Sequence, residues 1–308
     1  MTQTSPVVAV EDLRMRYGAA RGSAPVDALD GISFDVQPGE TFALLGPNGA
    51  GKSTTIEILE GYRAPTGGTV GVLGVDPAHG SLAWKARLGI VLQSTLEAGN
   101  VTVREQLTHF AGYYPNPRDV DEVIEAVGLA EKARSRIRTL SGGQRRRVDV
   151  ALGIVGRPDL LFLDEPTTGF DPEARHRFWD LIRRLKSEGT TILLTTHYLD
   201  EAAQLSDRVG VIQNGRLIDV GTVDSIGGAQ ARIPIVRWRD AVGVREVRTS
   251  APGRVVTDLV GRIGAEPPGL EIVRPSLEDV YLSLVAAPSS VAGHAEPGAD
   301  SERQEVVA

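Results

Sequence analysis

Apolar residues recur along the chain at two different periods. Near the N-terminus, VVAVEDLRMRY (residues 7–17) and ISFDV (32–36) carry alternating or β-branched apolar positions, the pattern of strands. A Gly/Ala/Pro loop at residues 18–25 separates them, QPGE at 37–40 is a turn, and TFALL at 41–45 reads as a buried strand. STTIEILEGY is expected to be a helix that stops near Gly61. Residues 100–138 change character: VTVREQLTHFAGYY and DVDEVIEAVGLAEKARSRI are rich in helix formers, with Val123, Val127 and Ala130 at helical spacing. They predict a mainly helical insert, about 94–155 once the following helix is included. LLFLDE then reads as a strand, residues 172–188 as an amphipathic helix burying Ala174, Phe178, Leu181, Ile182 and Leu185, and TTILLTTH as another strand. Strand–helix alternation of this kind predicts an α/β fold with a mostly parallel sheet covered by helices.

Beyond it, IPIVRW and GLEIVRP suggest short strands and RVVTDLVGRIG a helix. The division expected is a main domain over 7–228, a small C-terminal α/β appendage over 229–286, and a disordered tail over 287–308. The whole is 308 residues, 41% hydrophobic and 24% charged, ordinary for a globular chain with a real core. A net charge of -7 gives no global attraction to nucleic acid. The absence of cysteine removes disulfides and thiolate metal sites. No stretch reaches the roughly 18 apolar residues of a spanning helix, and the N-terminus lacks the pattern of a signal peptide. Any membrane crossing is therefore expected from another chain.

Three short motifs change the picture. GPNGAGKS, residues 46–53, matches G-x-x-x-x-G-K-[ST] between a predicted strand and a predicted helix. Gly46, Pro47, Asn48, Gly49, Ala50 and Gly51 would wrap backbone N–H groups around phosphate oxygens, with Thr54 in the helix behind them. Lys52 would add a point charge on the β/γ-phosphates, and the Ser53 hydroxyl would reach Mg²⁺. LLFLDEP, residues 160–166, is an apolar strand that delivers Asp164 and Glu165 to its C-terminal end. Asp164 suits Mg²⁺, directly or through water, and Glu165 suits polarisation of an attacking water. On its own this could equally be a strand followed by a solvated acidic turn.

LSGGQ, residues 140–144, places Ser141 as an N-cap before a helix whose Val148, Ala151, Leu152 and Val155 share a face. With Gly142, Gly143 and Gln144 it forms a second glycine-rich helix start able to hold an anion. In this order, the three motifs resemble the Walker A, signature and Walker B motifs of the ABC ATPases. The resemblance runs from about residue 7 to 221 and implies a P-loop NTPase of ABC type. Such a fold has an antiparallel β subdomain, a mostly parallel core sheet and a helical subdomain.

The resemblance implies further residues. Tyr17 would stack on adenine, and Gln93, ending GIVLQ, would sense Mg²⁺ and the attacking water. Asp171 in TTGFD would link two sites, with Phe170 where the family usually has leucine, and His197, ending ILLTTH, would hydrogen-bond the γ-phosphate. Taken singly, Tyr17 reads as a half-buried strand residue, Gln93 as a strand-end polar group and His197 as a satisfied histidine. Together they match the family pattern. His79, His109, His176 and His294 share no ligand spacing. Trp84, Trp179 and Trp238 read as packing, and the run Arg145, Arg146, Arg147 reads as a solvated helix face, without the interleaved aromatic residues of a nucleic-acid surface.

One phosphate loop and one signature per chain imply a head-to-tail, ATP-dependent homodimer or pseudo-symmetric pair, with ATP and Mg²⁺ between Lys52 of one chain and Ser141 of the other. RPSLEDVYLSL, residues 274–284, and the stretch from LSGGQRRR to FDP resemble the drug-export ATPases of the daunorubicin-resistance type. That resemblance implies export of a hydrophobic drug, antibiotic or lipid through a separate integral-membrane permease, with this chain peripheral on the cytoplasmic face of the membrane. Import is the alternative within transport, and its ATPases often carry a longer C-terminal β-domain. The alternative class is a non-transport ABC ATPase acting on nucleic acid or ribosomes; no second phosphate loop or heptad run supports it.

Overall fold

The computed structural model describes residues 5–18, 24–93, 100–240 and 242–286. The tail expected to be disordered, and the first residues of the helical insert, lie outside the described residues. The chain opens with β1 (Val8–Tyr17), β2 (Val26–Val36) and β3 (Thr41–Leu45), then α1 (Lys52–Leu59) and β4 (Gly67–Val72). A short α2 (Leu82–Lys85) and β5 (Leu88–Val91) precede three helices, α3 (Val103–Ala111), α4 (Val120–Ala126) and α5 (Gly142–Val155). Then come β6 (Leu160–Asp164), α6 (Pro172–Ser187), β7 (Thr191–Thr196), α7 (Leu199–Leu205), β8 (Arg208–Gln213) and β9 (Arg216–Thr222). The C-terminal segment holds α8 (Gly228–Ala231), β10 (Ile235–Asp240), β11 (Gly243–Arg248), α9 (Pro252–Ile263), β12 (Glu271–Val273) and α10 (Leu277–Ala286). No helix among the described residues is long and apolar enough to cross a membrane.

The central sheet has the order β5-β6-β7-β3-β8-β9, parallel except for β9. Every residue of β3 and β6 is buried, so both read as unbroken apolar runs rather than alternating ones. Side-chain alternation still operates, because the sheet divides two cores. Phe42, Leu44, Leu160 and Phe162 face the core shared with β1, β2 and α1, where Phe34 stacks on Phe42 at 5.1 Å. Ala43, Leu45, Leu161 and Leu163 face the core shared with α5 and α6. Each fully buried Leu or Phe side chain here contributes roughly 1.5–3 kcal/mol. The antiparallel subdomain is the sheet β2-β1-β4, and the third sheet is β11-β10-β12.

The expected helix through Val123, Val127 and Ala130 is shorter than its spacing suggested. Helix α4 stops at Ala126, Gly128 takes φ +67, and a 3₁₀ turn covers Ala130–Lys132. The left-handed glycine breaks the helical ladder while leaving Val123 and Val127 buried. In the C-terminal segment, α10 leaves its neighbouring sheet: Leu277 and Val280 are buried in the same core as Ala202, Leu205 and Ile226.

Candidate functional site

The phosphate-type loop follows from where β3 ends. A Cβ on Gly46 would stand 2.2 Å from the Ile212 carbonyl oxygen, so no larger residue fits beside β8. Gly51 has φ +109, and its Cβ would stand 2.7 Å from the Ala28 oxygen. Gly51 is also the N-cap of α1 and has no side chain to cap it. The first N–H groups of α1 thus lack intrahelical acceptors and are placed for an anion. Lys52 is 4% exposed. Its ammonium folds back over the loop and donates to the carbonyls of Gly46 at 2.8 Å and Pro47 at 3.1 Å.

The carboxylates come from the end of β6. Asp164 is buried, and its Oδ1 accepts a hydrogen bond from the Thr195 hydroxyl on β7. The Glu165 N–H continues the parallel pairing, donating to the Thr195 carbonyl at 3.1 Å. Glu165 then adopts φ +47, a left-handed conformation uncommon for a non-glycine residue. This turn sends its carboxylate back across the strand ends. Oε1 lies 3.3 Å from Lys52 Nζ, while Oε2 accepts from Gln93 Nε2 at 3.3 Å and lies 3.3 Å from His197 Nδ1.

Three residues singled out from sequence, Lys52, Gln93 and His197, therefore converge on the carboxylate of a fourth, Glu165, each from a separate segment. A cleft of about 480 Å³ brings Tyr17, Asn48, Lys52, Ser53, Gln93 and Glu165 onto one surface. The Tyr17 hydroxyl is 3.2 Å from the Thr54 hydroxyl, and the Arg63 guanidinium lies 5.0 Å from the centre of the Tyr17 ring. Gly46, Pro47, Ala50, Asp164 and His197 lie beside this cleft without lining it, and the predicted residues of the signature and Asp171 do not line it either. Ser141 and Gln144 form a reciprocal capping box at the start of α5: the Gln144 N–H donates to Ser141 Oγ at 3.2 Å, and the Ser141 N–H to Gln144 Oε1 at 3.0 Å. Ser141 and Gly142 are exposed, and Gly143 lies against the Gly169 carbonyl. Asp171 caps α6, accepting from the Ala174 N–H at 2.8 Å. Phe170 is accommodated in the core, edge-on to Phe178 at 5.9 Å.

The arginine run is not the solvated face expected. Arg146 is only 3% exposed and Arg147 is half-buried, donating to the Gly128 carbonyl at 3.0 Å. Arg146 lies four and seven residues before the inward-facing Val150 and Gly153, on the buried side of α5. That periodic placement was the sequence signal. Burial lowers its pKa from the ordinary arginine value, opposed by the nearby Asp149, Asp164, Glu165 and Glu201. Thr195, which holds Asp164, was likewise not singled out from sequence.

The family model described as ABC transporter matches residues 29–168. The daunorubicin/doxorubicin resistance ATP-binding protein DrrA of Streptomyces peucetius is 37% identical over 320 residues, covering 94% of this chain and 95% of that protein. The chain belongs to the ABC transporter ATP-binding proteins. A Nod factor export ATP-binding protein I, from Paraburkholderia xenovorans (strain LB400), is 38% identical over 279 residues, 83% of this chain and 91% of its own length. Among solved structures, an ATP-binding subunit of an ABC transporter superposes with a TM-score of 0.67 at 25% identity, over 91% of this chain and 99% of that one. A dimeric ATP-binding cassette in a post-hydrolysis state with ADP and Pi shares the fold, with a TM-score of 0.63 at 22% identity, over 70% of this chain and 98% of that one.

As an ABC-type ATPase of the exporter group, this chain binds and hydrolyses ATP. The donor set near Glu165 also fits a hard divalent cation: a Ser53 hydroxyl, a Gln93 amide oxygen and an Asp164 carboxylate are all oxygen ligands. When bound there, Mg²⁺ would supply positive charge to the β- and γ-phosphate oxygens.

Proposed function

We propose that this ATPase powers export of a hydrophobic small molecule, a drug, antibiotic or lipid, through a separate membrane permease. The observation that carries this reading is the extent of similarity to the daunorubicin/doxorubicin resistance protein, which includes the C-terminal segment as well as the cassette. An apolar groove of about 290 Å³ beside β5 and α5 supports a docking partner. Ile90 and Leu92 are 38% and 43% exposed at this groove, next to Gln93, so a permease segment seated there would touch the strand that ends in the site.

In the hydrolytic cycle, the γ-phosphate competes with Glu165 for Lys52. Lys52 transfers its hydrogen bonds to the β/γ-phosphates, and the α1 N–H groups hold the phosphate chain. Glu165, freed from the cation, accepts a proton from water as the water oxygen bonds to the γ-phosphorus and the bond to ADP breaks. Gln93 and His197, both at Glu165 Oε2, orient the water and the γ-phosphate. Tyr17 stacks on the base. The exposed Ser141 helix start and Asp171 serve the site of a second copy, in a head-to-tail dimer on the cytoplasmic face of the membrane.

The test is transport. Inside-out vesicles carrying this chain and its permease should take up doxorubicin, used as a fluorescent probe, only with MgATP. Vesicles with Glu165→Gln should not. Uptake that ignores this substitution, or none for doxorubicin and labelled phospholipid alike, would remove the export reading.

A further inference from the structure

We propose that Arg146 is a positioning residue that ties the signature helix to the hydrolytic base. Its guanidinium spans three chain segments. From α5 it donates to the carbonyl of Leu92, the residue before Gln93, and to three successive carbonyls at the end of β6: Asp164 at 2.7 Å, Glu165 at 3.3 Å and Pro166 at 3.2 Å. The side chain is buried, so water does not compete for these bonds.

The contacts flank the two groups whose placement matters. Glu165 owes its orientation to its left-handed backbone, and Arg146 holds the carbonyls before, at and after it. Gln93 hangs from the residue whose carbonyl takes the remaining bond. A planar fork of donors can serve diverging carbonyls at once, whereas lysine offers one compact ammonium with shorter reach. Arg146 is also part of the helix that Ser141 begins, about 7.5 Å further along its axis. A helix moves as a unit, so a shift of α5 when Ser141 meets the second copy's nucleotide reaches Glu165 and Gln93 through this one side chain. The inference rests on Glu165 being the base.

The experiment compares Arg146→Gln and Arg146→Lys with Arg147→Gln, a change on the same helix that loses contacts to the Val127 and Gly128 carbonyls but touches neither Glu165 nor Gln93. For both Arg146 variants, kcat should fall by about ten-fold or more, while KM and the ATP dissociation constant stay within about two-fold. Arg147→Gln should keep kcat within about two-fold. Rates are normalised to nucleotide-binding sites, so partial unfolding does not count. If Arg146→Gln yields no folded protein, Arg146→Lys gives the same readings. The deciding measurement is Arg146→Gln in a Glu165→Gln background. A residue that acts through Glu165 and its partner Gln93 adds much less loss there than in the wild-type background, whereas a general structural defect multiplies in full. A normal kcat in folded Arg146→Gln, or a fully multiplied loss in the double variant, overturns the proposal. Normal turnover in Glu165→Gln alone would instead remove the base assignment beneath it.

Discussion

Lys52 Nζ stands 3.3 Å from Glu165 Oε1, with only 3% and 7% of the two side chains exposed. The cation suited to phosphate and the carboxylate suited to water therefore occupy one another. Separating a buried pair costs free energy, even though Lys52 keeps the Gly46 and Pro47 carbonyls and Glu165 keeps Gln93 and His197. On the mechanism proposed above, a γ-phosphate, presenting more negative charge to Lys52, would exchange for the carboxylate and free Glu165 in the same movement.

Glu165→Gln should lower kcat by about 100-fold or more, the usual range for loss of a general base. Because Lys52 then faces a neutral amide, ATP no longer competes with a carboxylate for it. ATP affinity should hold or rise, as read by isothermal titration of the variant with MgATP. Weaker binding in this variant would mean that the Lys52–Glu165 contact does not compete with nucleotide.

Lys52→Ala should weaken ATP by at least ten-fold, about 1.4 kcal/mol, and leave AMP within about two-fold. The distinction arises because, on this reading, Nζ would meet the β/γ-phosphates, which AMP lacks. Titration of both nucleotides checks it, and equal losses would contradict the assigned contact.

Glu60, just beyond α1, has its pKa pushed up to about 7, first by burial and then by the charges of Glu57 and Asp164. The folded chain thus holds this proton more tightly than the unfolded one. The stability contributed is complete below about pH 4.5 and lost as pH rises through about 7. Glu60 is partly exposed, so solvent screening reduces the effect. Glu60→Gln should raise Tm by about 2–4 °C at pH 8 and by less than about 1 °C at pH 4. Melting curves at the two pH values decide, and a gain of equal size at both would point to packing rather than charge.

Legibility in the sequence followed physical simplicity. Unbroken apolar runs such as TFALL and LLFLD announce strands buried on both faces, and residues 46–53 announce their phosphate loop, because in each case one local requirement dominates. Strand β4, GGTVGV, was not anticipated: its glycines carry little strand preference, and it is held by pairing with β1. Strand β11 is exposed at all six positions, so no buried face patterned it. The side chains that gather at Glu165 had been named from sequence, but the contact between Lys52 and Glu165 depends on one left-handed backbone angle that leaves no trace in the sequence. Arg146 was misread because charge was counted without regard to helical phase.

The last prediction concerns the second copy. The Ser141 hydroxyl oxygen accepts from its own helix, which leaves its proton free to donate outward from an exposed helix start. MgATP should promote dimers most in Glu165→Gln, where hydrolysis cannot reopen the interface. Ser141→Arg places a bulky cation where the opposing γ-phosphate would approach. It should also disrupt the capping box, at a cost of about 1 kcal/mol typical of a lost N-cap. Since the Lys52 loop would lie in the other half of the proposed shared site, monomeric ATP binding should stay within about two-fold of wild type. Sedimentation with and without MgATP measures the outcome. If the Ser141→Arg, Glu165→Gln double variant dimerises with ATP as fully as Glu165→Gln alone, the shared site is wrong for this chain. If the double variant stays monomeric yet still binds ATP, the exposed signature supplies the second wall of the nucleotide site.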